Sequence, residues 1–87
     1  MTASYSVLTK RSAERELRKI PKVDLRRITT RIQGLALQPR PPGCEKLSGE
    51  ERYRIRQGDY RIVYAVDDES RIVEVVKIGH RREVYRS

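Results

Sequence analysis

The 87-residue sequence predicts an α+β domain in the order β-α-α-β-β-β, with a helical hairpin packed on one face of a mostly antiparallel four-stranded sheet. Three observations predict it. Apolar residues recur at helical spacing between positions 13 and 35, and they alternate with polar ones between 53 and 78. A Pro- and Gly-rich stretch separates the two patterns. Helices followed by a run of strands, without regular βαβ alternation, indicate helices segregated to one side of an antiparallel sheet.

Tyr5–Thr9 reads as the first strand. Ser12 is the expected N-cap of a first helix, although Glu16 stands four residues on rather than the three of a capping box. Ala13, Leu17 and Ile20 share one face of that helix, with Arg15, Arg18 and Lys19 elsewhere. Pro21 ends this helix or opens the next. The second is predicted over Val23–Leu37, with Leu25, Ile28, Ile32 and Leu35 inward and Arg26, Arg27 and Arg31 outward. Residues 38–51, QPRPPGCEKLSGEE, read as a linker inside the domain. Three strands follow, at Tyr53–Gln57, Tyr60–Val66 and Ile72–Ile78. Gly58-Asp59 turns the first pair and Asp67–Ser70 the second. Gly79 is expected to break the last strand, leaving HRREVYRS as a tail.

A chain of this length makes one domain, residues 1–87, and buries roughly 62–65% of its unfolded surface. With no Trp or Phe, its core comes from Leu, Ile, Val and five tyrosines. Twenty Lys and Arg against twelve Asp and Glu give a charge of +8, which favours an anionic partner: nucleic acid, an acidic protein or a membrane surface. The charge is uneven. Residues 1–49 hold 11 basic and 4 acidic residues, and residues 50–87 hold 9 and 8. Bulk positive charge therefore belongs to the helical half, and the arginines between 53 and 61 are a local cluster. No stretch approaches the ~20 apolar residues of a membrane span. The start, MTASYSVLTKRS, lacks a signal peptide's apolar core. Cys44 is alone, so a cytoplasmic, reducing compartment is expected. One Cys and one His are a poor ligand set, and neither metal nor cofactor is expected.

The segment YRIRQGDYRIVYAV, residues 53–66, carries the sharpest signal. Strand alternation sends Tyr53, Ile55, Tyr60, Ile62 and Tyr64 toward the helices, and Arg54, Arg56 and Arg61 toward the uncovered face. Guanidiniums cannot relieve their repulsion by losing protons, but an anion between them relieves it through bidentate hydrogen bonds. Two readings stand at this point. Either this is an anion site, or Glu51, Asp59 or Glu74 pairs with the arginines across the strands and the face is simply solvated. The tail adds His80, Arg81 and Tyr85: an imidazole, further cations, and a ring able to stack on a base.

Taken together, these pieces resemble a RelE-type toxin of the RelE/ParE toxin–antitoxin superfamily over nearly the whole chain. The carriers are the element order, Lys46-Leu47-Ser48-Gly49 before the sheet, Tyr53-Arg54-Ile55-Arg56, Gly58-Asp59-Tyr60-Arg61-Ile62-Val63-Tyr64, and Ile78-Gly79-His80-Arg81-Arg82-Glu83-Val84-Tyr85-Arg86. The resemblance implies a ribosome-dependent mRNA endonuclease that cuts in the A site. The RNA's own 2′-OH attacks the adjacent phosphorus, without a metal, so the partners are the ribosome, its mRNA and a cognate RelB-like antitoxin with an acidic, flexible segment. Such cleavage needs a base, an acid and cations for the added negative charge.

The same resemblance places Arg54 and Arg56 where the family often has two lysines, the second proposed as the base. Arg61 matches the arginine that stabilises the transition state, Arg81 the arginine proposed as the acid, and Tyr85 the tyrosine that stacks on or orients the base at the cut. The departure is Arg56, because arginine resists the deprotonation a base requires. His80, with an unperturbed pKa of about 6.5, is then a candidate acid or base. The alternative is that Arg56 and Arg81 act electrostatically. The basic helices either hold ribosomal RNA or merely solubilise the surface. Two rival functions share the pattern, namely a ParE-like toxin directed at gyrase and a non-catalytic RNA- or ribosome-binding module.

Overall fold

The computed structural model describes residues 4–47 and 51–80. The elements run β1 (Ser6–Thr9), α1 (Arg11–Arg18), α2 (Lys22–Gly34), β2 (Glu45–Leu47), β3 (Arg52–Gln57), β4 (Tyr60–Asp67) and β5 (Ile72–His80). They form one five-stranded sheet in the order β1-β5-β4-β3-β2. Strands β2 to β5 pair antiparallel, whereas β1 lies parallel to β5, with Ser6 opposite Ile72 and Thr9 opposite Val75. The connection between these two parallel strands runs through both helices and β2 to β4.

The α+β class holds, but the sheet has five strands rather than four. The extra strand, β2, comes from the second half of the expected linker. Proline ends at Pro42, Gly43 turns the chain at φ 89°, and Glu45-Lys46-Leu47 then pairs with Arg54-Tyr53-Arg52. Helix boundaries also move. Lys10, not Ser12, is the cap residue of α1, and it has no side-chain capping bond. The end of β1 decides this start: the Lys10 amide donates to the Val75 carbonyl at 2.8 Å, and its own carbonyl accepts from the Glu14 amide at 2.9 Å. Pro21 opens the second helix, its carbonyl accepting from Leu25. That helix stops at Gly34, three residues short of the expected Leu37, because Leu35, Ala36 and Leu37 tighten into bonds to the third residue back.

One core lies between the helices and the sheet. Ala13, Ile28, Ile32 and Leu35 meet Tyr53, Ile55, Ile62, Tyr64, Val66, Val73, Val75 and Ile78 there, with Leu17 and Ile20 packed partly against it. The expected inward faces of both helices are those that pack, although Leu25 is only half-buried. The β3–β4 hairpin closes through Gly58-Asp59, with Gln57 opposite Tyr60. Gly58 has φ 61° and Asp59 is not in the left-handed region, the pattern of a II′ turn, whose twist suits a tight hairpin.

Strand β5 departs most from simple alternation. Tyr64 stands opposite Val75, yet Val63 stands opposite Lys77, so Val76 is an extra residue, a β-bulge. The bulge shifts every later side chain by one face. Ile78 turns into the core, while Lys77 and Gly79 turn away from it. Gly79 therefore does not break the strand, which continues to His80.

A polar cluster ties the chain together at the far end of the sheet. Arg40 donates to both carboxylate oxygens of Asp68, at 3.2 and 2.8 Å, and its Nε to the Tyr53 hydroxyl at 2.9 Å. Tyr5 donates to Asp68 and Tyr53 to Glu51, while Lys46 bonds Glu51 at 3.3 Å. Bonds from Arg40 and then Tyr5 hold the Asp68 carboxyl below its usual range. Those from Tyr53 and Lys46 do the same for Glu51. Because both folded pKa values are depressed, their contribution is complete above the unfolded carboxylate range near 4 and is lost as pH falls through the folded values. Thermal melts from pH 6 to pH 3 should therefore show a fall in Tm that is smaller in Asp68→Asn. An identical fall in that variant would remove Asp68 from the account.

Candidate functional site

The sheet face turned away from α1 and α2 is built by register. Three rows of facing residues cross it: Ala65 lies between Glu74 and Arg52; Val63 between Lys77 and Arg54, with Glu45 beyond; and Arg61 between Gly79 and Arg56. Paired residues on neighbouring strands project to the same side. Arg54, Arg56 and Arg61 thus do converge, as alternation predicted, and Arg56 and Arg61 stand directly opposite each other.

Their environments differ. Arg56 is exposed, whereas the Arg54 side chain is only 18% exposed and Arg61 only 4%. Full burial of Arg61 was not foreseen, since an uncovered face suggested a solvated side chain. Arg54 forms an ion pair of 3.0 Å with Glu45 from β2. Glu45 was not among the acids expected to pair with the cluster, because its segment read as linker. Glu51, which was, is held by Tyr53 and Lys46 near Arg40. Like charges directly opposite across strands repel, and an anion set between Arg56 and Arg61 would offset that repulsion.

His80 is not part of this group. It pairs with Tyr60, whose ring meets the imidazole edge-on at 5.7 Å, and Tyr60 packs against the core. The imidazole therefore lies on the helix side of the sheet, where Glu16, Lys19 and Ile20 of the α1 region line a small cavity with it. Arg81 and Tyr85 lie outside the described residues. Lys77 is the residue that simple sequence reading missed. The apolar spacing Val73, Val75, Ile78, two residues and then three, is the signal that could have revealed the bulge and put Lys77 beside the arginines.

A second cationic feature lies round the hairpin. Arg26, Arg27, Thr30 and Arg31 of α2 join Gln38, Pro41 and Gln57 around a groove of about 560 Å³. Gln57 is the chain neighbour of Arg56, so groove and arginine face meet at the end of β3. Among the described residues, no three His, Cys, Asp or Glu gather as metal ligands, and no helix is long and apolar enough to cross a membrane.

Comparison with known proteins adds independent findings. The family described as the ParE toxin of the type II toxin–antitoxin system parDE matches residues 7–85. Toxin RelG of Mycobacterium tuberculosis is 31% identical over 86 residues, covering 94% of this chain and 97% of RelG. In the crystal structure of the RelBE2 toxin–antitoxin complex from the same organism, one chain superposes with a TM-score of 0.79 at 28% identity, covering 90% of this chain and 99% of that one. The isolated E. coli RelE toxin superposes with a TM-score of 0.78 at 30% identity, covering 94% and 92%.

Proposed function

This chain belongs to the RelE/ParE toxin superfamily of type II toxin–antitoxin systems, and from that premise we propose that it is a ribosome-dependent mRNA endonuclease acting in the A site. One observation carries the reading: Arg56 and Arg61 face each other with Arg54 alongside, on a sheet face that no described helix covers.

The chemistry follows from what that face offers. When a 2′-hydroxyl attacks the neighbouring phosphate, a phosphorane forms with one more negative charge than the ground state. Fixed guanidiniums bind that charge more strongly than the starting diester, which lowers the barrier. Their fork geometry also fits two phosphate oxygens at once. Arg61, buried and so restricted in its rotamers, is the natural transition-state ligand; Arg56, exposed, meets the incoming strand. By resemblance, Arg81 acts on the leaving 5′ oxygen, here electrostatically because a guanidinium keeps its proton, and Tyr85 stacks on the base at the cut. His80, on the other side of the sheet, is a proton donor only for RNA that wraps the end of β5; an unchanged cleavage rate in His80→Gln would remove it.

The groove lined by Arg26, Arg27 and Arg31 holds ribosomal RNA in this reading, and its contacts weaken steeply with salt. The partner that restrains the toxin is a RelB-like antitoxin, as in the relatives solved as complexes, with an acidic segment that folds on binding. The site of action is the cytoplasm. A gyrase-directed activity is the second reading, favoured by the name of the matching family.

Primer extension on an mRNA in stalled ribosomes, run beside the same mRNA free in solution, separates the two. Cuts confined to the A-site codon on ribosomes are expected. Folded protein that cuts neither RNA but inhibits gyrase supercoiling would replace this reading with the second.

A further inference from the structure

We propose that Lys77 is the base of this face, taking the proton of the attacking 2′-hydroxyl, an inference that rests on the RNA-cleaving reading above. The bulge at Val76 is what brings it there. With unbroken alternation Val76 would stand opposite Val63, and Lys77 would point under the helices. The observed register puts Lys77 opposite Val63 and Gly79 opposite Arg61. Lys77 is thus the diagonal neighbour of Arg61, about 7–8 Å away on the ladder. Gly79, opposite Arg61, adds no side chain to that row.

Chemistry narrows the choice. Arginine keeps its proton under any condition in which the protein is folded, so Arg54, Arg56 and Arg61 cannot accept one. Among the described residues in the three rows, Glu45, Glu74 and Lys77 exchange protons. Glu45 is engaged with Arg54 at 3.0 Å and stands two strands from Arg61. Glu74 lies opposite Ala65, four residues or roughly 13 Å along β4 from Arg61. Lys77 alone combines proximity to Arg61 with a flexible four-carbon stem. It is half-buried.

In the step, the neutral Lys77 Nζ accepts the 2′-OH proton and O2′ forms a bond to the adjacent phosphorus. The P–O5′ bond breaks, and the 5′ oxygen takes a proton from water. The products are a 2′,3′-cyclic phosphate and a 5′-hydroxyl, and the resulting hydroxide recovers the proton from Lys77.

The test compares wild type, Lys77→Met and Lys77→Arg in single-turnover cleavage on mRNA-programmed ribosomes from pH 6 to pH 9, with ribosome co-sedimentation and thermal melts alongside. Both variants should bind within about threefold of wild type yet cleave about 10²–10⁴-fold more slowly. The rise in rate with pH expected of wild type should vanish in both. Recovery of the wild-type rate in Lys77→Arg would reduce Lys77 to a fixed charge and overturn the proposal. So would a wild-type pH profile in Lys77→Met. Wild type that fails to cut on ribosomes would instead overturn the endonuclease reading itself, and this inference with it.

Discussion

Arg61→Gln should lower the rate of A-site cleavage by about 10²–10³-fold, the loss typical when one preorganised donor to developing negative charge is removed. Glutamine keeps hydrogen-bonding capacity but loses the charge and the two-pronged donor geometry. Arg61→Lys should fall between the two, since it restores charge without the fork. The side chain is 4% exposed and sits in the central strand of the sheet. Its stem therefore contributes packing as well as charge, and each variant needs a melt to show that it folds. Arg56→Gln provides the comparison free of that complication, because Arg56 is exposed and directly opposite. It should weaken cleavage less and leave Tm unchanged or raised, as a like-charge contact is relieved. Wild-type cleavage in a folded Arg61→Gln protein would sink the electrostatic account of the site.

What the sequence made legible was whatever depends on local periodicity. The inward stripe of Ile28, Ile32 and Leu35 and the outward set of Arg54, Arg56 and Arg61 follow from the repeat of a helix and a strand, and both are present. The strand order was less accessible. That β1 pairs parallel with β5 is a contact between residues more than sixty positions apart, with nothing local to announce it. Glu45 was hidden because three residues after a proline run show too little alternation to be distinguished from linker, and only the β3 edge makes them a strand. His80 was misplaced and Lys77 overlooked for the same reason. One inserted residue at Val76 exchanges the faces of everything after it, so a reading with the strand ending at Gly79 set His80 beside the arginines and passed over Lys77.

With no Phe or Trp in the chain, Tyr64 is the largest fully buried side chain among the described residues, at 0% exposure, and its replacement should have the largest effect on stability. Its ring stacks on Tyr53 at 5.8 Å between centroids, and its hydroxyl donates to the Pro39 carbonyl at 2.6 Å. Burial, with a smaller contribution from Cys44, pushes the hydroxyl's pKa well above the usual tyrosine range, so it remains a donor wherever the protein is folded. A buried tyrosine needs such a partner, and here the partner belongs to the proline-rich segment, which the bond fixes to β4. Tyr64→Ala should cost about 3–5 kcal/mol, as large aromatic truncations do. That is a large share of the roughly 5–15 kcal/mol available to a small domain. Tyr64→Phe keeps the ring and removes only the hydroxyl, so about 1–2 kcal/mol is expected from the unpaired carbonyl. Urea unfolding measures both as shifts in midpoint at constant slope. Tyr64 projects to the helix side of β4, opposite to Arg61, so Tyr64→Phe should cleave RNA at the wild-type rate despite its lower midpoint. A cleavage defect in that variant, with the fold intact, would mean that the two faces of β4 are coupled and that the arginine site depends on how the proline-rich segment is anchored.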